Sequence, residues 1–143
     1  MARYETTIES RLSQADAFDY MAEFTNAREW DPRVGEARRV EDGPVAVGSA
    51  FELVARFAGK DVPLRYTVLE YDRPRRVVLE ARRPGFVSRD TITVAEAAAG
   101  STVHYDALLE LSGWRRLFGP FFQRTFDGIG DRAAEGMRAA LNQ

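Results

Sequence analysis

The sequence predicts an α+β fold: a seven-stranded, curved antiparallel sheet wrapped around a long C-terminal helix, with two short helices between strands 1 and 2. Three observations predict it. Residues 34–111 alternate apolar and polar side chains with a period of two, interrupted by turn residues. From Phe118 to Leu141 the apolar residues change to helical spacing. A β-rich segment and two short helical patterns precede the alternating region.

The elements follow in order. "RYETTIES" (3–10) is rich in β-formers and reads as the first strand. "SQAD" (13–16) starts a helix, with Ser13 as cap and Asp16 three residues on, near the favourable end of the dipole. Phe18, Met21, Ala22 and Phe24 carry that helix over about 14–24. Asn26 is placed to cap a second short helix, which Pro32 ends at "EWDP" (29–32) because it disfavours helix at Asp31.

Turn chemistry then recurs at "EDGP" (41–44), "AGKD" (58–61), "YDRP" (71–74), "RRPG" (82–85) and "AAAG" (97–100). The runs between them make six consecutive strands, most simply a meander. Phe51, Leu53, Ala55 and Phe57 share one face, as do Val103, Tyr105, Ala107, Leu109 and Leu111. In the last segment Phe118, Phe122, Phe126, Ile129, Ala133, Met137 and Leu141 form a stripe opposite Arg124, Asp127, Asp131, Glu135 and Arg138. A helix running straight back to Trp114 would place Arg115 on the stripe. The expected break is therefore at Gly119–Pro120, with Pro120 near the first helical position and 114–118 a separate turn. The glycines of "DGIGD" (127–131) read as a locally loosened stretch of helix.

A sheet with one dry face needs a cover, and the C-terminal helix is the long amphipathic element left to supply it. A curled sheet and a straight helix diverge somewhere, and there large side chains fill the gap or a pocket remains. The rings of "SGWRRLFGPFFQRTF" (112–126) either pack as core or roof that gap; a third reading, supported by Arg115, Arg116 and Arg124, is a patch for a membrane or partner.

The bulk numbers fit a globular protein: 143 residues, 45% hydrophobic, 29% charged. The net charge of −2 supplies no overall field for nucleic acid. The absence of cysteine excludes disulfides and thiolate chemistry, and is compatible with a reducing cytoplasm, the expected location. "MARYETTIES" has no signal-peptide core, and no apolar run approaches the roughly 18 residues of a membrane span. The single histidine, His104, falls on the polar register, and no metal site or cofactor is expected. Gly-rich phosphate loops and a Gly-x-Ser-x-Gly motif are absent.

Taken along its length, the chain resembles the START-like helix-grip (SRPBCC) superfamily, in its polyketide cyclase/dehydrase-like branch of small bacterial proteins. The matching pieces are "AFDYMAEFTNAREWDP" (17–32), "GPVAVGSAFEL" (43–53), "LEYDRPRRVVLEA" (69–81), "GSTVHYDALLEL" (100–111) and the closing helix. The Trp-Asp-Pro after the short helix and the Tyr-Asp-Arg-Pro before the fifth strand carry most of it. The resemblance implies one START-like domain over 1–143, and a hydrophobic cavity between sheet and C-terminal helix for lipids, polyketides or other apolar small molecules. It implies little about reaction, since fold does not fix function.

Register supplies polar candidates. If Ile92 and Val94 face inward, so do Asp90, Ser88 and Phe86; Tyr66 goes with Leu64 and Val68, and Tyr105 with Val103 and Ala107. A buried Asp90 without a cation would serve as general acid or base, and a tyrosine hydroxyl would polarise a carbonyl. The competing reading pairs Asp90 with Arg82 or Arg89 and turns the tyrosine hydroxyls to solvent. A one-residue bulge would turn Asp90 outward.

The first functional expectation is a binder of an apolar small molecule, lined by Phe51, Leu53, Tyr66, Phe86, Tyr105, Phe121, Phe122, Phe126 and Met137, with Trp30 near the mouth and Ser88, Asp90 and the tyrosine hydroxyls as polar anchors. The second is a cyclase or dehydratase with Asp90 and Tyr105 in acid/base roles. The third is a lipid or quinone carrier docking on membranes through Trp114–Phe122. Val54, Val78 and Leu108, on the outward register, either support a homodimer or are scattered surface residues.

Overall fold

A computed structural model describes residues 1–57, 59–113 and 119–143, with 119–121 described by backbone alone. The first strand, β1 (Ala2–Ser10), leads into helix α1 (Gln14–Ala22). Ser13 caps α1 by accepting from the Asp16 N–H at 3.1 Å, as its position in "SQAD" predicts. The chain then tightens into a 3₁₀ turn at Phe24–Asn26, followed by helix α2 (Ala27–Trp30). Asn26 does not cap α2 with its side chain; that amide instead donates to the Tyr20 carbonyl at 2.9 Å, closing the preceding turn.

Six strands follow: β2 (Val34–Arg39), β3 (Ala50–Phe57), β4 (Lys60–Asp72), β5 (Arg76–Arg83), β6 (Phe86–Ala97) and β7 (Gly100–Leu111). Each pairs antiparallel with the next, and β1 pairs with β7, giving the order β1-β7-β6-β5-β4-β3-β2. The expected meander is therefore present. Its ends are occupied by β1 and β2.

Helix α3 spans Gly119–Ala140, and the separate turn expected at 114–118 lies outside the described residues. Phe126, Ala133, Met137 and Leu141 are buried, while Arg124, Asp127, Asp131, Glu135 and Arg138 are exposed. The alternation on the strands also holds: Leu53, Leu64, Tyr66, Ile92, Val103, Tyr105 and Leu109 all enter one buried core.

Two helix glycines have a packing reason that the sequence reading missed. A Cβ at Gly130 would stand 2.1 Å from the Tyr4 ring, and one at Gly136 would stand 2.0 Å from the Trp30 carbonyl oxygen. Both let α3 approach its neighbours closely. Gly130 is thus a contact point rather than a loosened turn. The chain end is also tied down, because the buried Ser10 hydroxyl donates to the Leu141 carbonyl at 2.7 Å.

The outer face of β5 departs from expectation. Val78, proposed as an outward residue for a dimer, is buried within the chain. Glu70 and Thr91 flank it across the sheet, and the Glu70–Arg76 ion pair runs beside it at 3.0 Å. Val54 and Leu108 are half-buried. Among the described residues, no helix is long and apolar enough to cross a membrane.

Candidate functional site

The site is built where α2 meets both the sheet and α3. The close approach of Gly136 to the Trp30 carbonyl seats α2 on α3. It also drives the Trp30 indole inward, edge-on to Tyr105 at 5.6 Å and to Phe24 at 6.0 Å. Phe24 continues this aromatic layer onto Tyr66 at 4.9 Å. Trp30 is therefore a buried wall residue, 2% exposed, rather than a residue at the mouth.

Pro32 ends α2 with Asp31 extended. The Asp31 carboxylate turns forward, accepting from the Arg33 backbone N–H at 3.0 Å and from Arg33 Nη2 at 3.2 Å. The Arg33 guanidinium lies over the Phe57 ring, 4.5 Å from its centroid. The sequence reading did not single out Asp31 or Arg33, since an arginine after a Pro turn looks like the start of a solvated strand. The "WDPR" string held the signal, because a carboxylate two residues before an arginine at a forced bend can fold back on it.

On the sheet side, Asp90 of β6 lies opposite Ala107 of β7 and points into the core. No bulge turns it outward. The Tyr105 hydroxyl donates to Asp90 Oδ2 at 2.8 Å. Tyr66 and Ser88 share a hydroxyl–hydroxyl hydrogen bond of 2.8 Å. Burial pushes the Asp90 carboxyl up to about 7; the Tyr105 hydrogen bond opposes this, nearby Asp31 adds to it and Arg33 opposes it. Burial, reinforced by Asp90, raises the Tyr66 and Tyr105 hydroxyls well above their ordinary value, so both keep their proton at neutral pH.

The alternative pairing of Asp90 with Arg82 or Arg89 does not occur. Both arginines bind Glu80 on the outer face, Arg82 Nε at 2.6 Å and Arg89 Nε at 2.9 Å. The reason is register: Glu80 and Arg89 are cross-strand partners, and Arg82 follows Glu80 by two residues on the same side. His104 sits on the outer face beside Thr7, its ring nitrogen 3.0 Å from Thr7 Oγ1. Among the described residues, no three His, Asp or Glu side chains group as metal ligands would.

These parts enclose a cavity of about 50 Å³. Of the residues expected to line a pocket, Trp30, Leu53, Tyr66, Ser88, Asp90, Tyr105 and Phe126 border it. Asp31, Arg33, Phe24, Phe57, Leu64, Ala107 and Leu109 join them. Phe51 and Met137 are instead fully buried core residues. Phe51 packs behind Phe24, 6.4 Å between rings. Met137 lies one residue from the Gly136–Trp30 contact, where helix and α2 leave no gap. Phe86 lies outside the cavity wall, edge-on to Phe57 at 6.2 Å, and Phe122 stacks on Phe126 at 6.1 Å. The Phe121 side chain and the Trp114–Phe118 part of the membrane-docking patch lie outside the described residues.

The expected gap is thus smaller and more polar than curvature alone implies, because Phe24 and Trp30 fill much of it. A cavity of about 150 Å³ is what admits a benzene ring. Beside the cavity, Phe57, Val62, Phe86, Leu111 and Phe122 are only partly buried against the core.

The sequence matches, over residues 1–142, the family described as polyketide cyclase / dehydrase and lipid transport. The chain belongs to that family. Solved structures agree on the fold. A START superfamily protein from Mycobacterium smegmatis superposes with a TM-score of 0.80 at 11% identity, covering 99% of this chain and 97% of its own. TTHA0849 from Thermus thermophilus gives 0.67 at 17% identity, with 97% of each chain covered. The di-domain ARO/CYC StfQ from the steffimycin biosynthetic pathway gives 0.72 at 11% identity over 98% of this chain and 50% of that one. A search of curated protein sequences returns no match. At such identities the superpositions establish the START-like helix-grip fold alone, and family membership supports a role in binding or cyclising a ligand.

Proposed function

We propose that this member of the family binds an apolar small molecule, a lipid, polyketide or similar compound, between the sheet and α3. The observation that carries this reading is the two-sided wall of the cavity. Leu53, Ala55, Leu64, Leu109 and Phe126 supply apolar surface, and Tyr66, Ser88, Asp90 and Tyr105 supply hydrogen-bonding groups. About 50 Å³ holds a functional group or a few methylenes. The rest of the guest would then extend past the partly buried Phe57–Phe86 pair. Saturable binding of the neutral fluorophore N-phenyl-1-naphthylamine tests this. An Ala107→Leu variant, which fills the cavity from β7, is expected to bind at least tenfold more weakly while melting as a folded protein. Equal binding by that variant would overturn the reading.

A second reading, a cyclase- or dehydratase-like enzyme, is favoured by Asp90. A carboxyl pushed up to about 7 by burial and held by Tyr105 at 2.8 Å is poised to give and take a proton at neutral pH. Turnover of a polyketide-like substrate that Asp90→Asn abolishes, with binding retained, would support it. Equal turnover in that variant would remove it.

A further inference from the structure

We infer that Trp30 and Arg33 form the polar end of this pocket, a subsite for the carboxylate of an otherwise apolar guest. The inference rests on the ligand-binding reading and gives its ligand a chemical class.

Arg33 is unusually constrained. Its backbone N–H and its Nη2 both bind Asp31, and Phe57 lies under the guanidinium plane. Asp31 is 8% exposed and the Arg33 side chain 22%, so the pair lies at the edge of the core with only part of the guanidinium reaching water. Yet Arg33 Nε and Nη1 are buried and have no acceptor, and the same is true of Trp30 Nε1. Trp30 is itself 2% exposed. Both side chains border the same cavity.

The sign of the mismatch identifies the missing group. Among the described residues, the buried side-chain nitrogen and oxygen atoms left without a partner are these three, and all are donors. The neighbouring polar groups are turned to one another: Asp90 Oδ2 takes the Tyr105 hydroxyl, and Ser88 and Tyr66 share one hydrogen bond. An unmatched buried donor is unfavourable, more so when charged. A water oxygen accepts from at most two of these three donors and must place its own two hydrogens as well. A ketone offers one oxygen. A carboxylate brings two oxygens, about four lone-pair sites and no hydrogen, and its bonds to a guanidinium are charge-assisted. Its few heavy atoms suit a space of about 50 Å³. The carboxylate charge would face Arg33, whose partner Asp31 is already bound to it. Asp90, pushed up to about 7 by burial, meets an anion as the neutral acid below neutral pH.

Calorimetric titration at pH 6 with 2-naphthoate and its neutral counterpart 2-acetonaphthone tests the inference. The wild-type protein is expected to prefer naphthoate at least tenfold. Arg33→Met should bring the ratio of naphthoate to ketone affinity to about one, and Trp30→Phe, which keeps a ring and loses the N–H, should lower that ratio several-fold; the readout is the ratio, since both residues border the cavity. The Trp30 indole N–H resonance of the wild type should move downfield with naphthoate and not with the ketone, a readout independent of variant folding. Binding of both probes without preference, or a preference that survives in both variants, would overturn the carboxylate subsite and leave the ligand-binding reading intact. Binding of neither probe would overturn both.

Discussion

The hydroxyl of Tyr105 donates to the carboxyl of Asp90 across 2.8 Å inside the core, where the two residues are 7% and 4% exposed. Burial pushes the Asp90 carboxyl up to about 7, from 3.8 for a free side chain. Between those two values the folded protein holds a proton that the unfolded chain has released. Stability therefore falls as pH rises from about 4 to 7, and levels off above. At 1.36 kcal/mol per unit, the loss is roughly 4 kcal/mol. Asp90→Asn has no charge to bury, so its stability should stay flat over that range. Urea denaturation from pH 4.5 to 8.5 measures the difference; parallel curves for the two proteins would contradict it.

Helix α3 contains a matched pair of glycine tests. A Cβ at Gly128 meets nothing within 4 Å, whereas one at Gly136 would stand 2.0 Å from the Trp30 carbonyl oxygen. Gly128→Ala should stabilise the protein by about 0.5–1 kcal/mol through helix propensity alone. Gly136→Ala should destabilise it by about 2 kcal/mol or more, because backbone must move, and should weaken ligand binding by displacing Trp30. Thermal melts that shift in the same direction for both variants would count against the α2–α3 contact.

The chain end is held by Ser10, whose hydroxyl donates to Leu141 and accepts from the Leu12 N–H at 3.1 Å. Ser10→Ala leaves that carbonyl and that amide without their partner. The expected cost is about 1–3 kcal/mol. Hydrogen exchange should show the last turn of α3 opening faster while the sheet amides of β5 and β6 are unaffected.

On the outer face, burial alone would raise the Glu80 carboxyl, but hydrogen bonds from Arg89 and Arg82 outweigh it and hold it below its usual range. Its contribution is present above the unfolded value and is lost as pH falls through the folded one. Glu80→Gln should therefore cost about 1–3 kcal/mol at pH 7 and much less at pH 3. A penalty independent of pH would show that the two arginines do not depend on the charge.

Strand order and inward register were legible because period-two alternation and turn residues act locally: Asp90 follows from Ile92 and Val94 on the same strand. The inward stripe of α3 was legible because Phe126, Ala133, Met137 and Leu141 recur at helical spacing, and all four are buried. What was hidden depends on contacts between distant segments. Gly136 looks like a weak helix residue until the Trp30 carbonyl is placed against it. Arg33 reads as a surface cation until Asp31 and Phe57 hold it inward. The pairing of Glu80 with Arg89 required the β5–β6 register, which hairpin turns fix only to within a residue.

A guest held between the sheet and α3 is the central claim. Intermolecular nuclear Overhauser effects between N-phenyl-1-naphthylamine and the methyl groups of the protein test it most directly. The predicted result is contacts from one or more of Leu53, Leu64, Leu109, Ala55 and Ala107, residues that border the cavity, since about 50 Å³ admits only an edge of the probe. Contacts confined to the outer face of the sheet, or none at saturating probe, would contradict it.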